Sequence, residues 1–176
     1  MTDNIKQTCC FTGHRPEKLP YSGIEVKRKL ETAINDAIRE GYKNFIVGMC
    51  RGVDLWAGEI VVEKKLKNPE IRLIAAIPYP GFENRWHETD RNLYHYVLDN
   101  ADTAKIVSNE YSRACYQRRN EWMCDRASRL ISAYSGIAGG TRNTVNYAKR
   151  NGLDIINIFE SNQICAHKTA DIIRVK

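Results

Sequence analysis

Cys10-Phe11-Thr12-Gly13-His14-Arg15-Pro16 turns a short apolar run into a glycine, an imidazole, a guanidinium and a proline. In a chain that alternates strands with helices, that change marks a strand end opening onto a ligand. Gly13 lets a ligand approach the main chain, and Arg15 offers a forked donor suited to phosphate or carboxylate. The same residues also suit a tight turn carrying a surface arginine. The first expectation is an anionic, nucleotide-like ligand at the end of the first strand.

Outward from this segment, apolar runs alternate with stretches of helical period, and no low-complexity tract or linker divides them. Strands are predicted at 7–11, 44–48, 71–77, 103–107, 129–134 and 154–159. Several are apolar on both faces, as central strands of a parallel sheet are. Leu30, Ala33, Ile34, Ala37 and Ile38 make one helical stripe, closed by Gly41. Val53, Trp56, Ala57, Ile60 and Val61 make a second, and Trp86, Leu93, Tyr94, Val97 and Leu98 a third. Trp122, Met123 and Ala127 suggest a fourth helix, and Val145 and Ala148 a fifth that starts near Thr141 and ends at Gly152. The alternation predicts an α/β fold, a parallel sheet covered by helices.

A length of 176 residues fits one domain over 1–176 and buries a core without disulfides or metal. Hydrophobic residues at 43% and charged residues at 27% are ordinary for a globular chain. The longest apolar stretches, such as 73–78, are strand-sized, and no apolar signal region opens the chain, so a cytoplasmic location without membrane contact is expected. Cys9, Cys10, Cys50, Cys115, Cys124 and Cys165 form no CxxC pair or zinc spacing, which points to free, mostly buried thiols. Cys9 and Cys10 are adjacent in a strand and so face opposite sides of the sheet. The net charge of +6 favours phosphorylated partners or nucleic acid without choosing between them.

In a parallel sheet the chemistry lies just after each strand. The second strand ends in Gly48-Met49-Cys50-Arg51-Gly52-Val53-Asp54, where glycines thin the backbone at a helix start and Arg51 adds charge. Asp54 suits either a helix cap or an acceptor for a ribose hydroxyl. The third strand runs into Pro78-Tyr79-Pro80, a stiff loop whose Tyr79 could stack on a base or pack on the core. The fifth runs into Gly139-Gly140-Thr141 at a helix start, a phosphate-binding loop by its composition. Neither GxxxxGK[ST] nor GxGxxG occurs.

Phe11-Thr12-Gly13-His14-Arg15-Pro16, the Gly48 to Asp54 segment and Gly139-Gly140-Thr141, in that order and spacing, resemble the YpsA-like branch of the SLOG superfamily. The resemblance covers about 7–159, leaving 160–176 as a tail. It implies a Rossmann-like, doubly wound, mainly parallel sheet with helices on both faces, and self-association into a homo-oligomer. It also implies a nucleotide or nucleotide-derived ligand, such as ADP-ribose or an NAD-like molecule. Position by position, it implies ligand contacts from Gly13, His14 and Arg15, from Gly48, Arg51, Gly52 and Asp54, and from Gly139, Gly140 and Thr141. The pattern at 116–123 adds Arg118 and Asn120 as residues closing the pocket, with Arg119 a solvated charge.

Lonely-guy phosphoribohydrolases of the same superfamily carry PGGxGTxxE at the last loop, where Asn146 of this chain stands in place of the glutamate. A neutral amide is neither a general base nor a charge partner for a cationic sugar, so that activity is not expected through this position. A hydrolase of a nucleotide N-glycosidic or phosphate bond would draw instead on Asp54, Glu59 or His14. Single-stranded DNA binding of the DprA type is a third reading, through Arg113, Arg118, Arg119, Arg126 and Arg129 interleaved with Tyr111, Tyr116 and Trp122. His87 and His95 lack a third ligand of suitable spacing and are expected at the surface, and His167 stands in the polar tail, so no metal site is expected.

Overall fold

The computed structural model describes residues 5–160, which places Cys165, His167 and the 161–176 tail outside the described residues. The strands are β1 (Thr8–Gly13), β2 (Asn44–Val47), β3 (Arg72–Ile77), β4 (Thr103–Ile106), β5 (Arg129–Ala133) and β6 (Asp154–Asn157). The helices are α1 (Gly23–Arg39), α2 (Val53–Lys67), α3 (Glu88–Asp99), α4 (Cys115–Cys124) and α5 (Gly140–Arg150). All six predicted strands form, and β1 runs two residues beyond expectation because Thr12 and Gly13 pair with Ser132 and Ala133 of β5.

The strands make one parallel sheet in the order β4-β3-β2-β1-β5-β6, which gives the Rossmann-like α/β fold. The chain steps outward from β1 to β4, then returns to lay β5 on the other side of β1. The order therefore reverses beside β1, where open α/β sheets leave a crevice at their carboxyl edge.

Both sheet faces are apolar, and the pleat divides neighbouring residues between them. Cys9, Phe11, Phe45 and Leu73 join Leu30, Ile34, Val61 and Val97 in the core beneath α1, α2 and α3. Cys10, Ile46, Ala76 and Leu130 join Met123, Cys124 and Ala148 beneath α4 and α5. Cys9 and Cys10 thus lie on opposite faces, and the five described cysteines are unbridged.

Helix limits follow local chemistry. The Ser22 hydroxyl accepts the Glu25 amide at 3.3 Å and caps α1. Trp86 packs with Phe82 and Tyr94 in the turn before α3 rather than on the helix, and Ala127 lies beyond the end of α4. Among the described residues, no helix is long and apolar enough to cross a membrane.

Candidate functional site

At the carboxyl edge, the loops after β1, β2 and β5 enclose a cavity of about 440 Å³, with α4 forming its inner wall. Thr12, Gly13, His14 and Arg15 line it from the first loop; Cys50, Arg51 and Asp54 from the second; Ala138, Gly139, Gly140 and Thr141 from the fifth. Three motifs separated by up to about 130 residues in sequence thus share one cleft at the strand-order reversal.

The second loop is held by a buried charge pair. Asp54, in the first turn of α2, accepts the Cys50 amide on Oδ2 at 3.3 Å, and that same oxygen lies 4.0 Å from Arg119 Nη1. Asp54 thus braces the loop leading into its helix, while Gly52 holds the cap position. Arg119 comes from α4 and is 3% exposed, donating to Ala76 O at 3.5 Å, Cys50 Sγ at 3.3 Å and Asn120 Oδ1 at 2.8 Å. The expectation of a solvated Arg119 is therefore overturned. Cys115, Arg119 and Met123 recur every four residues on the buried stripe of α4, whereas Arg118, one position before Arg119, is exposed and outside the cavity wall. That spacing is the sequence signal that would have exchanged the two arginines.

Gly48 stands beneath this pair rather than on the cavity wall. A Cβ there would lie 2.5 Å from Arg119 Nη1 and 2.7 Å from Asp54 Oδ2. Met49, next along, is buried with φ 62°, a left-handed conformation costly for a side-chain-bearing residue, so the tertiary frame imposes this loop's shape.

The relay continues from Arg119 through Asn120. Asn120 Nδ2 donates to Thr144 Oγ1 at 2.8 Å, and the Thr144 hydroxyl donates to Gly140 O at 2.9 Å. A polar chain, buried except at the half-buried Asn120, therefore runs from Asp54 to the first turn of α5 and fixes the second loop relative to the fifth. The start of α5 is uncapped: Gly139 has φ 146°, no side chain caps the helix, and its first turn carries no acidic residue. A Cβ at Gly139 or Gly140 would meet nothing within 4 Å, so the unpaired amides of the first turn open onto the cavity.

Two buried polar atoms in the wall lack partners among the described residues, His14 Nε2 and Asp54 Oδ1. His14 is 6% exposed, its ring tilted 5.8 Å from that of Tyr134, and burial together with Lys18 lowers its pKa, so the imidazole is neutral near pH 7. Burial raises the pKa of Asp54 against the opposing pull of Arg119 and the Cys50 amide. Burial also raises the Cys50 thiol, which Arg119 partly offsets.

Arg51 lines the cavity but is engaged, Nη2 at 3.3 Å from Glu17 Oε1 and Nη1 at 3.3 Å from Asp90 Oδ2. Arg15 is exposed at the mouth and pairs with no carboxylate among the described residues. Gly52 packs against Pro16, outside the wall. Tyr79 is also outside it, edge-on to Phe82, Tyr111 and Tyr116 in an aromatic cluster of which Tyr116 faces the cavity. Thr12, Glu17, Lys18, Cys50 and Ala138 complete the wall without having been expected as ligand contacts, and Tyr116, expected only as a ring for single-stranded DNA, lines it too.

Other chemically suggestive residues lie elsewhere. Glu59 pairs with Lys27 at 2.7 Å between α2 and α1, Asn146 is exposed on α5, and His87 and His95 are exposed on or beside α3. Arg129 is buried between Glu40 and Asp154, each 2.6 Å from Nη2, and stacks over Tyr42. With Arg119 also buried, the five arginines expected to share a basic face do not do so.

Comparison with known proteins places the fold and the family. The chain is 32% identical over 140 residues to the uncharacterized SPbeta prophage-derived protein YoqJ of Bacillus subtilis, covering 72% of this chain and 82% of YoqJ. It is 32% identical over 132 residues to a UPF0398 protein of Halalkalibacterium halodurans, covering 70% of each. Among solved structures, DNA processing protein A of Streptococcus pneumoniae superposes with TM-score 0.58 at 17% identity, over 88% of this chain and 51% of that one. DNA processing protein A of Helicobacter pylori, solved for its single-stranded DNA binding mode, gives TM-score 0.60 at 14% identity, over 88% of this chain and 67% of that one. With the family's sequence model matching residues 9–158, the chain belongs to the YspA SLOG family.

Proposed function

We propose that the protein binds a phosphate-bearing nucleotide or nucleotide derivative in the cavity at the ends of β1, β2 and β5. The observation that carries this reading is the convergence, in one cleft, of an uncapped helix start with the partnerless His14 Nε2 and Asp54 Oδ1. Buried polar atoms without partners are costly, and a ligand supplying a hydrogen bond to each removes that cost. The first-turn amides of α5 take a phosphoryl group, with Arg15 and Lys18 adding charge at the mouth. Asp54 Oδ1 takes a sugar hydroxyl, and Tyr116 offers a ring face to a base.

The test is calorimetry with ADP-ribose and AMP on the wild type and on Gly140→Asp. An aspartate in the first turn suits the helix dipole, so the variant folds, while its carboxylate occupies the phosphoryl position. The account expects saturable binding to the wild type and at least about tenfold weaker binding to the variant. Equal affinity in both would remove the assignment.

Single-stranded DNA is a second reading, favoured by the shared fold with the H. pylori protein. It also draws on a run of rings from exposed Tyr111 through Tyr79 to Tyr116 in the wall. A labelled oligonucleotide as a third ligand separates the two. Binding that survives Gly140→Asp and weakens with Tyr111→Ala would belong to this reading.

A further inference from the structure

The charged groups of the cavity divide into neutralised and free sets. Arg119 faces Asp54 at 4.0 Å and is spent within the relay. Arg51 is held between Glu17 and Asp90, both at 3.3 Å, so that its guanidinium ties the first loop, the second loop and the start of α3 together. Of these carboxylates, Glu17 itself lines the cavity, and its side chain is 53% exposed at the mouth. Two lining cations remain without a carboxylate partner among the described residues, Arg15 and Lys18, together with the uncapped start of α5.

From this balance we infer that Glu17 is a specificity-determining residue that restricts the ligand to about two negative charges. It occupies Arg51, which a longer polyphosphate would otherwise recruit, and repels further anionic groups at the mouth. The ligand class is a phosphate monoester or a pyrophosphate diester, each carrying about two charges near neutral pH. A metal-free nucleoside triphosphate, with roughly twice that charge, meets Glu17 instead of a free guanidinium.

This inference rests on the nucleotide reading above. The experiment measures the affinities of AMP, ADP-ribose and ATP at about 0.1 M ionic strength, with a chelator to keep divalent cations off the triphosphate. It uses the wild type, Glu17→Gln and Lys18→Gln. The wild type is expected to bind AMP and ADP-ribose at least about fivefold tighter than ATP, the scale set by one partly exposed charge. Glu17→Gln tightens ATP by about fivefold and changes AMP by less than about twofold, while Lys18→Gln weakens ATP more than AMP. ATP binding the wild type as tightly as AMP, or Glu17→Gln shifting all three ligands by one factor, overturns the inference and leaves the nucleotide reading standing. Failure of every probe to bind any of the three proteins overturns both.

Discussion

Gly48 and Gly140 show how the same residue type serves opposite ends at the scale of single side chains. At Gly48 a methyl group would press into a guanidinium and a carboxylate, both buried, so Gly48→Ala forces a charged pair apart. Its expected cost is about 3 kcal/mol, read by chemical denaturation. At Gly140 a methyl group meets only open space, so Gly140→Ala changes stability by under about 1 kcal/mol while crowding the phosphoryl position. Arg119 and Arg118 make a second contrast. Arg119→Met leaves the Asp54 carboxylate buried without its partner, whereas Arg118→Ala changes stability by under about 0.5 kcal/mol.

The sign of the pH dependence follows from burial. Asp54, already raised, rises further once Arg119 is gone, so the folded variant holds a proton that the unfolded chain has lost above about pH 4. The stability of Arg119→Met therefore falls as pH rises from about 4 through the folded pKa, more steeply than that of the wild type, in melts across that range. His14 acts in the opposite sense. Its lowered pKa takes stability away as pH falls below about 6.5, and a ligand anion at Nε2 opposes that loss. At this scale the family resemblance pointed to Gly13, His14, Asp54 and Thr141, all of which line the cavity, although Gly13 also serves packing, since a Cβ there would lie 2.4 Å from Val53. Arg119 was missed, because charge alone says nothing about which face of a helix is buried.

Among the elements, α4 and α5 carry the site's rigidity. The Asn120 and Thr144 side chains join them at 2.8 Å, and Thr144 passes the contact to the Gly140 carbonyl at 2.9 Å. Asn120→Ala leaves the buried Thr144 hydroxyl without its donor, at a cost of about 1–3 kcal/mol. Amide exchange at the start of α5 is expected to accelerate in this variant, while α1 and α2, on the opposite sheet face, keep wild-type protection. Uniform acceleration across the chain would show that Asn120 supports the whole fold rather than this junction. The central strands β1, β2 and β5 were legible because their runs are buried on both faces, whereas β4, Thr-Ala-Lys-Ile, is exposed along its length. The helix limits were less legible: Trp86 and Ala127 fit the helical period yet pack from adjoining turns, where side-chain packing rather than periodicity decides.

For the whole molecule, the order β4-β3-β2-β1-β5-β6 does what no local motif does. It sets the ends of β2 and β5 on either side of β1 and so assembles one cleft from three loops. The alternation of strands and helices foretold the parallel sheet. The division of charge did not follow from the sequence, because Arg51 and Arg119 meet Glu17, Asp90 and Asp54 only after folding. A net charge of +6 on the chain thus resolves, inside the cleft, to a helix start and two lining cations, Arg15 and Lys18, without a carboxylate partner among the described residues.

The most direct measurement is a two-dimensional amide and imidazole NMR titration of the protein with ADP-ribose. The account predicts saturable shifts at the Gly140 and Thr141 amides and at the His14 ring nitrogen, with the amides around the Lys27 and Glu59 ion pair unmoved. Shifts confined to other surfaces, or none at saturating ligand, would contradict it.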